Sequence, residues 1–249
     1  MIDIHTHILP GVDDGSPHME DSLQMAAMAA SSGSRALIAT PHSNQEGRFE
    51  NFYSEELERE FAALQEEIRL AGIPIAVYPG MEIFASGDIG EKITGGRLIG
   101  LNFSRYYLVE FYFDETPAVI KHCTDEIFAA GGIPLIAHPE RYFCVQDRPE
   151  LVYDWLQQGC LAQINKGSLF GRFGESARRA AETLLFNGLV TCIGSDAHSP
   201  FRRTTHVAEL LDYLYDTLGE DITQLITEEN PARILGNRPI PVRGRYPGI

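Results

Sequence analysis

The residues with the clearest chemical potential open the chain: Asp3-Ile4-His5-Thr6-His7. In a β-strand, side chains two apart point to the same face. His5 and His7 would therefore aim two imidazoles at one point, and imidazole is a common ligand for transition metals. Alone, the pair is equally compatible with two ordinary histidines. Further histidines and carboxylates follow short apolar runs: His42, Glu82, Glu110, His138, Asp196 and His198, with Asp14 in the first loop. Five histidines and four carboxylates exceed what one tetrahedral zinc requires. Such a mixed set suits two or three divalent ions, with Mn²⁺, Fe²⁺ and Zn²⁺ as the candidate identities. Each member also has a plainer reading. A strand-end histidine can simply be hydrogen-bonded, Glu82 and Glu110 can face solvent, and Asp13 and Asp14 can be turn formers. His18, His122 and His206 fall in or beside predicted helices and are read as non-ligands. Asp3 is expected on the same face as the pair, where it could orient an imidazole. Arg141, Arg202 and Arg203 offer guanidinium groups that match phosphate oxygens, or else form ordinary ion pairs.

The elements that would position these residues alternate along the chain. Short runs at 2–4, 37–39, 75–78, 107–109, 133–137, 161–164 and 190–193 read as buried strands. Between them lie helical patterns. Ser16-Pro17 reads as a helix start, running to about Ser32 before Gly33. Ser54 caps a helix with Leu57, Phe61, Leu64 and Ile68 on one face. Further helices are expected over 119–130, 151–158 and 175–187, and the chain beyond Thr204 reads as helical. About seven strand–helix alternations predict parallel strands joined by crossover helices. The candidate ligands then sit at the C-terminal strand ends, where barrels of this kind carry their active sites.

The 249 residues are 44% hydrophobic, enough for one sizeable core, and no linker or repeat divides them, so a single domain over 1–249 is expected. No apolar run approaches the ~20 residues that span a bilayer, and no signal peptide is evident, so no membrane insertion is expected. Four scattered cysteines fit reduced thiols in the cytoplasm. The formal charge of −15 opposes nucleic-acid binding and leaves any phosphorylated substrate in need of a locally cationic site. No cysteine is followed by arginine at the spacing of a cysteine phosphatase. Phosphate-binding P-loops, nucleophile-elbow serines and His-Glu-x-x-His zinc motifs are also lacking.

Taken jointly, Asp-Ile-His-Thr-His, Thr-Pro-His42, Gly-Met-Glu82, Val-Glu110-Phe, Ala-His138-Pro-Glu-Arg141 and Gly-Ser-Asp196-Ala-His198 resemble the PHP (polymerase and histidinol phosphatase) superfamily. His-Ile-Leu-Pro-Gly-Val-Asp13-Asp14-Gly and Asn-Pro-Ala-Arg-Ile-Leu are similar to its metal-dependent protein tyrosine phosphatases of bacterial capsular and exopolysaccharide systems. The resemblance covers nearly the whole chain. It implies a distorted (β/α)7 barrel and a trinuclear, usually manganese, centre. It implies nine ligands: His5, His7, Asp14, His42, Glu82, Glu110, His138, Asp196 and His198. Substrate-binding arginines match Arg141 and Arg203, with Arg202 one residue away from that assignment. The polar stretch after His42 is similar to the family's loop beside the substrate mouth.

The resulting expectation is hydrolysis of phosphotyrosine, with metal-bound hydroxide attacking phosphorus while Arg141 and Arg203 hold the phosphate. The resemblance implies a protein substrate, the tyrosine-rich tail of a bacterial tyrosine kinase controlling polysaccharide export. One rival is a PHP phosphatase for a small phosphomonoester such as histidinol phosphate. Another is a non-enzymatic, metal-retaining binding module.

Overall fold

A computed structural model of the chain describes residues 1–241; residues 242–249, part of the expected single domain, lie outside the described residues. Among the described residues, nine strands run parallel in two sheets. The first sheet joins β1 (Ile2–Thr6), β2 (Ala36–Ala39) and β4 (Ala76–Pro79). The second joins β3 (His42–Ser43), β5 (Glu82–Phe84), β6 (Tyr106–Glu110), β7 (Ile133–Ala137), β8 (Leu161–Asn165) and β9 (Cys192–Gly194).

β3 continues the line of β2 across Thr40-Pro41, and β5 continues β4 across Gly80-Met81. Pro41 has no N–H to give a ladder, which interrupts the second line. Gly80 interrupts the third where the backbone is hemmed in: a Cβ there would lie 2.8 Å from Ile38 Cγ2 and 2.9 Å from Leu101 Cδ2. Counted as lines, there are seven strands. The circuit closes where β1 meets the end of β9, through a parallel Thr6–Ala197 bridge, His7 N donating to Ala197 O (2.9 Å) and Asp196 N donating to His5 O (2.9 Å). This is the distorted (β/α)7 barrel expected.

Two apolar layers hold it. An inner cluster joins Ile2, Ile4, Ile38, Tyr106, Leu108, Leu135 and Cys192 inside the barrel. An outer cluster packs the opposite strand faces, such as Leu37, Val109, Ile136 and Ile164, against the helices. Strands buried on both faces read as continuous apolar runs, which is why the sequence shows them so plainly. The helix Glu55–Leu70 follows its pattern closely. Ser54 Oγ accepts from Leu57 N at 3.2 Å, and Leu57, Phe61, Leu64 and Ile68 are buried.

The first helix corrects an expectation. It spans Met19–Ser31, with His18 rather than Ser16 at its N-cap. Ser16 is used elsewhere: its hydroxyl donates to His18 O (2.9 Å) and pairs with Ser22 Oγ (2.8 Å), tying the preceding loop to the helix. His42–Ser43 and Glu82–Phe84 form short strands of their own, where the sequence shows only residues following the strands at 37–39 and 75–78.

Candidate metal centre

All nine predicted ligands meet at the C-terminal end of the barrel. A shift of register between Asp3 and Thr6 in the β1–β2 pairing breaks the strand's alternation. Such irregularities re-aim side chains. Ile2 and Ile4 join the inner cluster, and His5 and His7 still reach one site, with their Nε2 atoms 3.3 Å apart. The same irregularity overturns the role expected of Asp3. Its Oδ1 accepts from Ser195 N (2.9 Å) and His5 N (3.4 Å), so it ties β1 to the chain after β9 and touches no imidazole.

Three groups of potential ligands adjoin one another: His7, Asp14, His42 and His198; His5, His7 and Asp196; and His42, Glu82 and Glu110. Glu82 links them, its Oε2 lying 3.1 Å from His5 Nε2, 3.2 Å from His7 Nε2 and 3.0 Å from His42 Nδ1. Asp196 Oδ1 lies 3.6 Å from His5 Nε2 and 3.4 Å from His7 Nε2. Asp14 Oδ1 stands between His42 Nε2 (3.5 Å) and His198 Nε2 (3.4 Å). His138 belongs to none of the three groups, but its Nε2 is 2.9 Å from Glu82 Oε1 and 3.8 Å from Glu110 Oε2.

The donors fit divalent cations. Asp13 Oδ2 takes the Nδ1 side of His7 at 2.7 Å, and Gln163 Oε1 takes the Nδ1 side of His5 at 2.8 Å. Both rings then present Nε2 to the interior, the arrangement that carboxylate or amide partners impose on ligating histidines. Glu82 Oε2 and His42 Nδ1 are buried and 3.0 Å apart, yet neither makes a well-aligned hydrogen bond among the described residues. Buried polar atoms are ordinarily satisfied, and a cation shared by the two would satisfy both.

The electrostatics agree. Burial alone would neutralise these groups. It opposes charge on His5, yet the Glu82 and Asp196 carboxylates outweigh it and hold the ring's pKa above its ordinary value. His7 is raised further, against the same burial, chiefly by Asp13. His42 is pushed up to about 10, because Glu82 and Glu110 overcome burial and the neighbouring His7 charge. Burial would raise Glu82 and Asp196, but the surrounding imidazoles, with Arg203 at Asp196, keep both well below the usual carboxylate range. The site thus concentrates buried negative charge that demands positive charge beside it.

The mouth is a cleft of about 280 Å³ that also takes in Arg48, Arg141 and Arg203. Arg203 pairs with Asp196 Oδ2, and its Nε donates to Asp196 O at 3.1 Å. Arg141 Nη1 is 3.6 Å from the same Oδ2, and its guanidinium lies between the rings of Phe113 (4.3 Å) and Phe173 (4.2 Å). Arg202 is exposed and does not line the cleft. Arg48, which the sequence did not mark out, pairs with Asp14 Oδ2 at 3.2 Å and stacks on Phe49, itself stacked on His42. His138, Asp196 and Arg203 all adopt left-handed backbone conformations, at φ 35°, 51° and 52°. In non-glycine residues such angles cost roughly 1–3 kcal/mol each and cluster at functional sites.

Several supporting residues escaped the sequence reading. Asp13 looked like a turn former; its carboxylate also accepts from His42 N (2.9 Å) and Gly15 N (2.9 Å). Asn165 Nδ2 donates to Asp196 Oδ2 at 2.6 Å, and Gln163 donates to Asn165 Oδ1. Buried Glu140 accepts from Asn165 N and Ser168 Oγ. The available signal was two amides, Gln163 and Asn165, breaking an otherwise apolar strand.

A family profile described as capsular polysaccharide synthesis, CpsB/CapC, matches residues 1–236. The chain belongs to the CpsB/CapC family. It is 36% identical over 241 residues to the tyrosine-protein phosphatase YwqE of Bacillus subtilis (strain 168), covering 96% of this chain and 93% of that one. To the tyrosine-protein phosphatase CpsB of Streptococcus pneumoniae it is 29% identical over 240 residues, covering 94% and 98%. Among solved structures, one from work on YwqE and CpsB, described as metal-dependent tyrosine phosphatases, superposes with a TM-score of 0.90 at 35% identity. It covers 98% of this chain and 97% of that one. A phosphotriesterase homology protein from Escherichia coli shares the fold alone, with a TM-score of 0.62 at 10% identity over 93% of this chain and 97% of that one. No helix among the described residues is long and apolar enough to cross a membrane.

Proposed function

We propose that this CpsB/CapC-family chain is a metal-dependent protein-tyrosine phosphatase, acting as a single domain. Its substrate is phosphotyrosine on a protein, the tyrosine-rich tail of a bacterial tyrosine kinase that controls capsule or exopolysaccharide synthesis. The reaction belongs in the cytoplasm, where its four cysteines stay as thiols. His5, His7, Asp14, His42, Glu82, Glu110, His138, Asp196 and His198 hold three divalent ions, manganese before iron or zinc. The observation that carries this reading is the meeting of three imidazole–carboxylate groups beneath a cleft lined by Arg141 and Arg203.

Bound divalent ions supply Lewis-acid polarisation and an activated water at neutral pH. The chain's own residues do the rest. Asp13 and Gln163 fix the His7 and His5 rings so that their Nε2 lone pairs face inward. Asp196 divides its carboxylate, Oδ1 facing the imidazoles and Oδ2 held by Arg203 and Asn165. Arg141 and Arg203 present N–H groups to the non-bridging phosphate oxygens and stabilise charge as it develops. A tyrosine leaving group, with a pKa of about 10, departs more readily than an alkyl alcohol and asks less of a general acid.

A direct kinetic comparison tests the substrate class. kcat/KM for a phosphotyrosine peptide should exceed that for histidinol phosphate by orders of magnitude. Preference for histidinol phosphate would move the protein to the small-monoester reading, and no turnover of any monoester by metal-loaded protein would favour the binding module.

A further inference from the structure

We propose that the turn after β8, residues 166–173, is the positioning element for the phosphate-holding arginines: Lys166 clamps the strap behind Arg203, residues 204–207, and Phe173 supports the guanidinium planes. This rests on the reading of Arg141 and Arg203 as the phosphate-holding pair.

Lys166 follows β8 directly and is only 6% exposed. Its ammonium makes no ion pair shorter than 4 Å among the described residues. Instead Nζ donates to two backbone carbonyls, Thr204 O at 2.5 Å and His206 O at 2.7 Å. Those carbonyls lie one and three residues after Arg203. Burial of an ammonium is costly unless its protons are taken up by good acceptors. Here burial lowers the Lys166 pKa to about 8, with Arg172 adding to the shift and Asp3 and Glu209 opposing it. A residue tolerated at that cost fixes something, and what it grips is the strap.

The strap needs gripping. Arg203 holds a left-handed conformation, φ 52°, that its neighbours must enforce. Arg203 O accepts from His198 N at 2.8 Å, which ties the Arg203 backbone to that of His198. On its far side the strap is pinned to the first helix, Thr205 Oγ1 donating to Met25 O (2.6 Å) and Val207 N donating to Ser32 Oγ (3.0 Å). Lys166 supplies the opposing hold from the barrel side.

The same turn then reaches the arginines directly. Phe173 lies 4.2 Å from the Arg141 guanidinium carbon and 5.6 Å from that of Arg203. Its ring can lie there because residue 167 is glycine: a Cβ at Gly167 would come within 2.8 Å of it. One short segment therefore sets both the height of Arg203 and the plane on which the two guanidiniums rest. The spacing between them decides how well they match two oxygens of one phosphate, and small displacements of such groups cost catalysis heavily.

The test uses metal-loaded protein and two probes, a phosphotyrosine peptide for kinetics and inorganic phosphate for equilibrium affinity. Lys166→Met should raise the phosphate Kd about tenfold and lower kcat/KM at least as much, with metal content unchanged. Lys166→Arg, which keeps charge and donors, should recover most of the loss. In an Arg203→Ala background, Lys166→Met should add less than about twofold, because the two act through one contact. Phe173→Leu should weaken phosphate binding in the same way and serves if Lys166→Met does not fold. If Arg203→Ala weakens phosphate binding but Lys166→Met and Phe173→Leu do not, the positioning role is wrong. Full additivity of Lys166→Met with Arg203→Ala would also overturn it. If Arg141→Ala and Arg203→Ala both leave phosphate affinity unchanged, the arginine reading itself fails.

Discussion

Asp13→Asn is the substitution that most sharply separates a turn residue from one that serves the metal centre. The Asp13 side chain is fully buried, and its two oxygens take three donors. Oδ2 accepts from His7 Nδ1 (2.7 Å) and His42 N (2.9 Å), and Oδ1 accepts from Gly15 N (2.9 Å). An asparagine cannot serve all three. With its amide nitrogen in place of Oδ1 it faces the Gly15 N–H; in place of Oδ2 it faces both His7 and His42. The less damaging orientation leaves the half-buried Gly15 N–H unpaired, which costs about 1 kcal/mol, the low end for such a loss. It also removes the negative charge beside His7, the largest influence raising that ring's pKa. Loss of the outer partner of a ligating histidine typically costs 10–100-fold in metal affinity, or roughly 1.4–2.7 kcal/mol. Titration of metal-stripped protein against a competing fluorescent chelator would read that loss, with circular dichroism confirming the fold. An affinity within about twofold of the parent would refute the orienting role and return Asp13 to the turn.

Other outcomes follow from the same geometry. Asp196→Ala should cost more metal affinity than any outer-partner change, with activity falling in parallel, since it removes an atom shared by two imidazoles; elemental analysis and turnover on one preparation check it. Arg203→Ala should retain metal and raise KM for a phosphotyrosine peptide, while Arg202→Ala changes neither, its side chain lying outside the cleft. In metal-free protein, His42 holds its proton more tightly folded than unfolded, with a pKa of about 10 against an ordinary 6.5. Its contribution to stability is therefore complete below pH 6.5 and is lost as pH climbs towards 10. Metal uptake over the same window should release protons and tighten with rising pH, as calorimetry in buffers of different ionisation enthalpy would show.

The sequence carried most of the site because strand periodicity is a strong constraint. His5 and His7 share a face by spacing, and His138 and Asp196 follow apolar runs, so ends of parallel strands located them without any contact being known. The barrel was legible for the same reason. What failed was local. The break at Pro41 and Gly80 leaves short strands, His42–Ser43 and Glu82–Phe84, too brief to show a pattern. The register shift in β1 re-aimed Asp3 to Ser195 N, which alternation alone cannot foresee. Asp13 was misread because Asp-Asp-Gly is a turn signature, and the residue is indeed a turn former through Gly15 N while also serving His7. Arg203 rather than Arg202 lines the cleft, as its spacing from Asp196 implied, but its left-handed φ belongs to the folded loop and not to its composition. Gln163 and Lys166 act over long sequence separations, on His5 and on the strap after Arg203, and no local pattern marks such partners.

This barrel end is proposed to be a multi-metal site that hydrolyses phosphotyrosine. The most direct test is elemental analysis of purified protein alongside turnover of a phosphotyrosine peptide before and after chelation. Divalent metal at more than one equivalent per chain, activity abolished by stripping and restored by Mn²⁺, is the predicted result. Undiminished turnover by protein shown to be free of metal would contradict it.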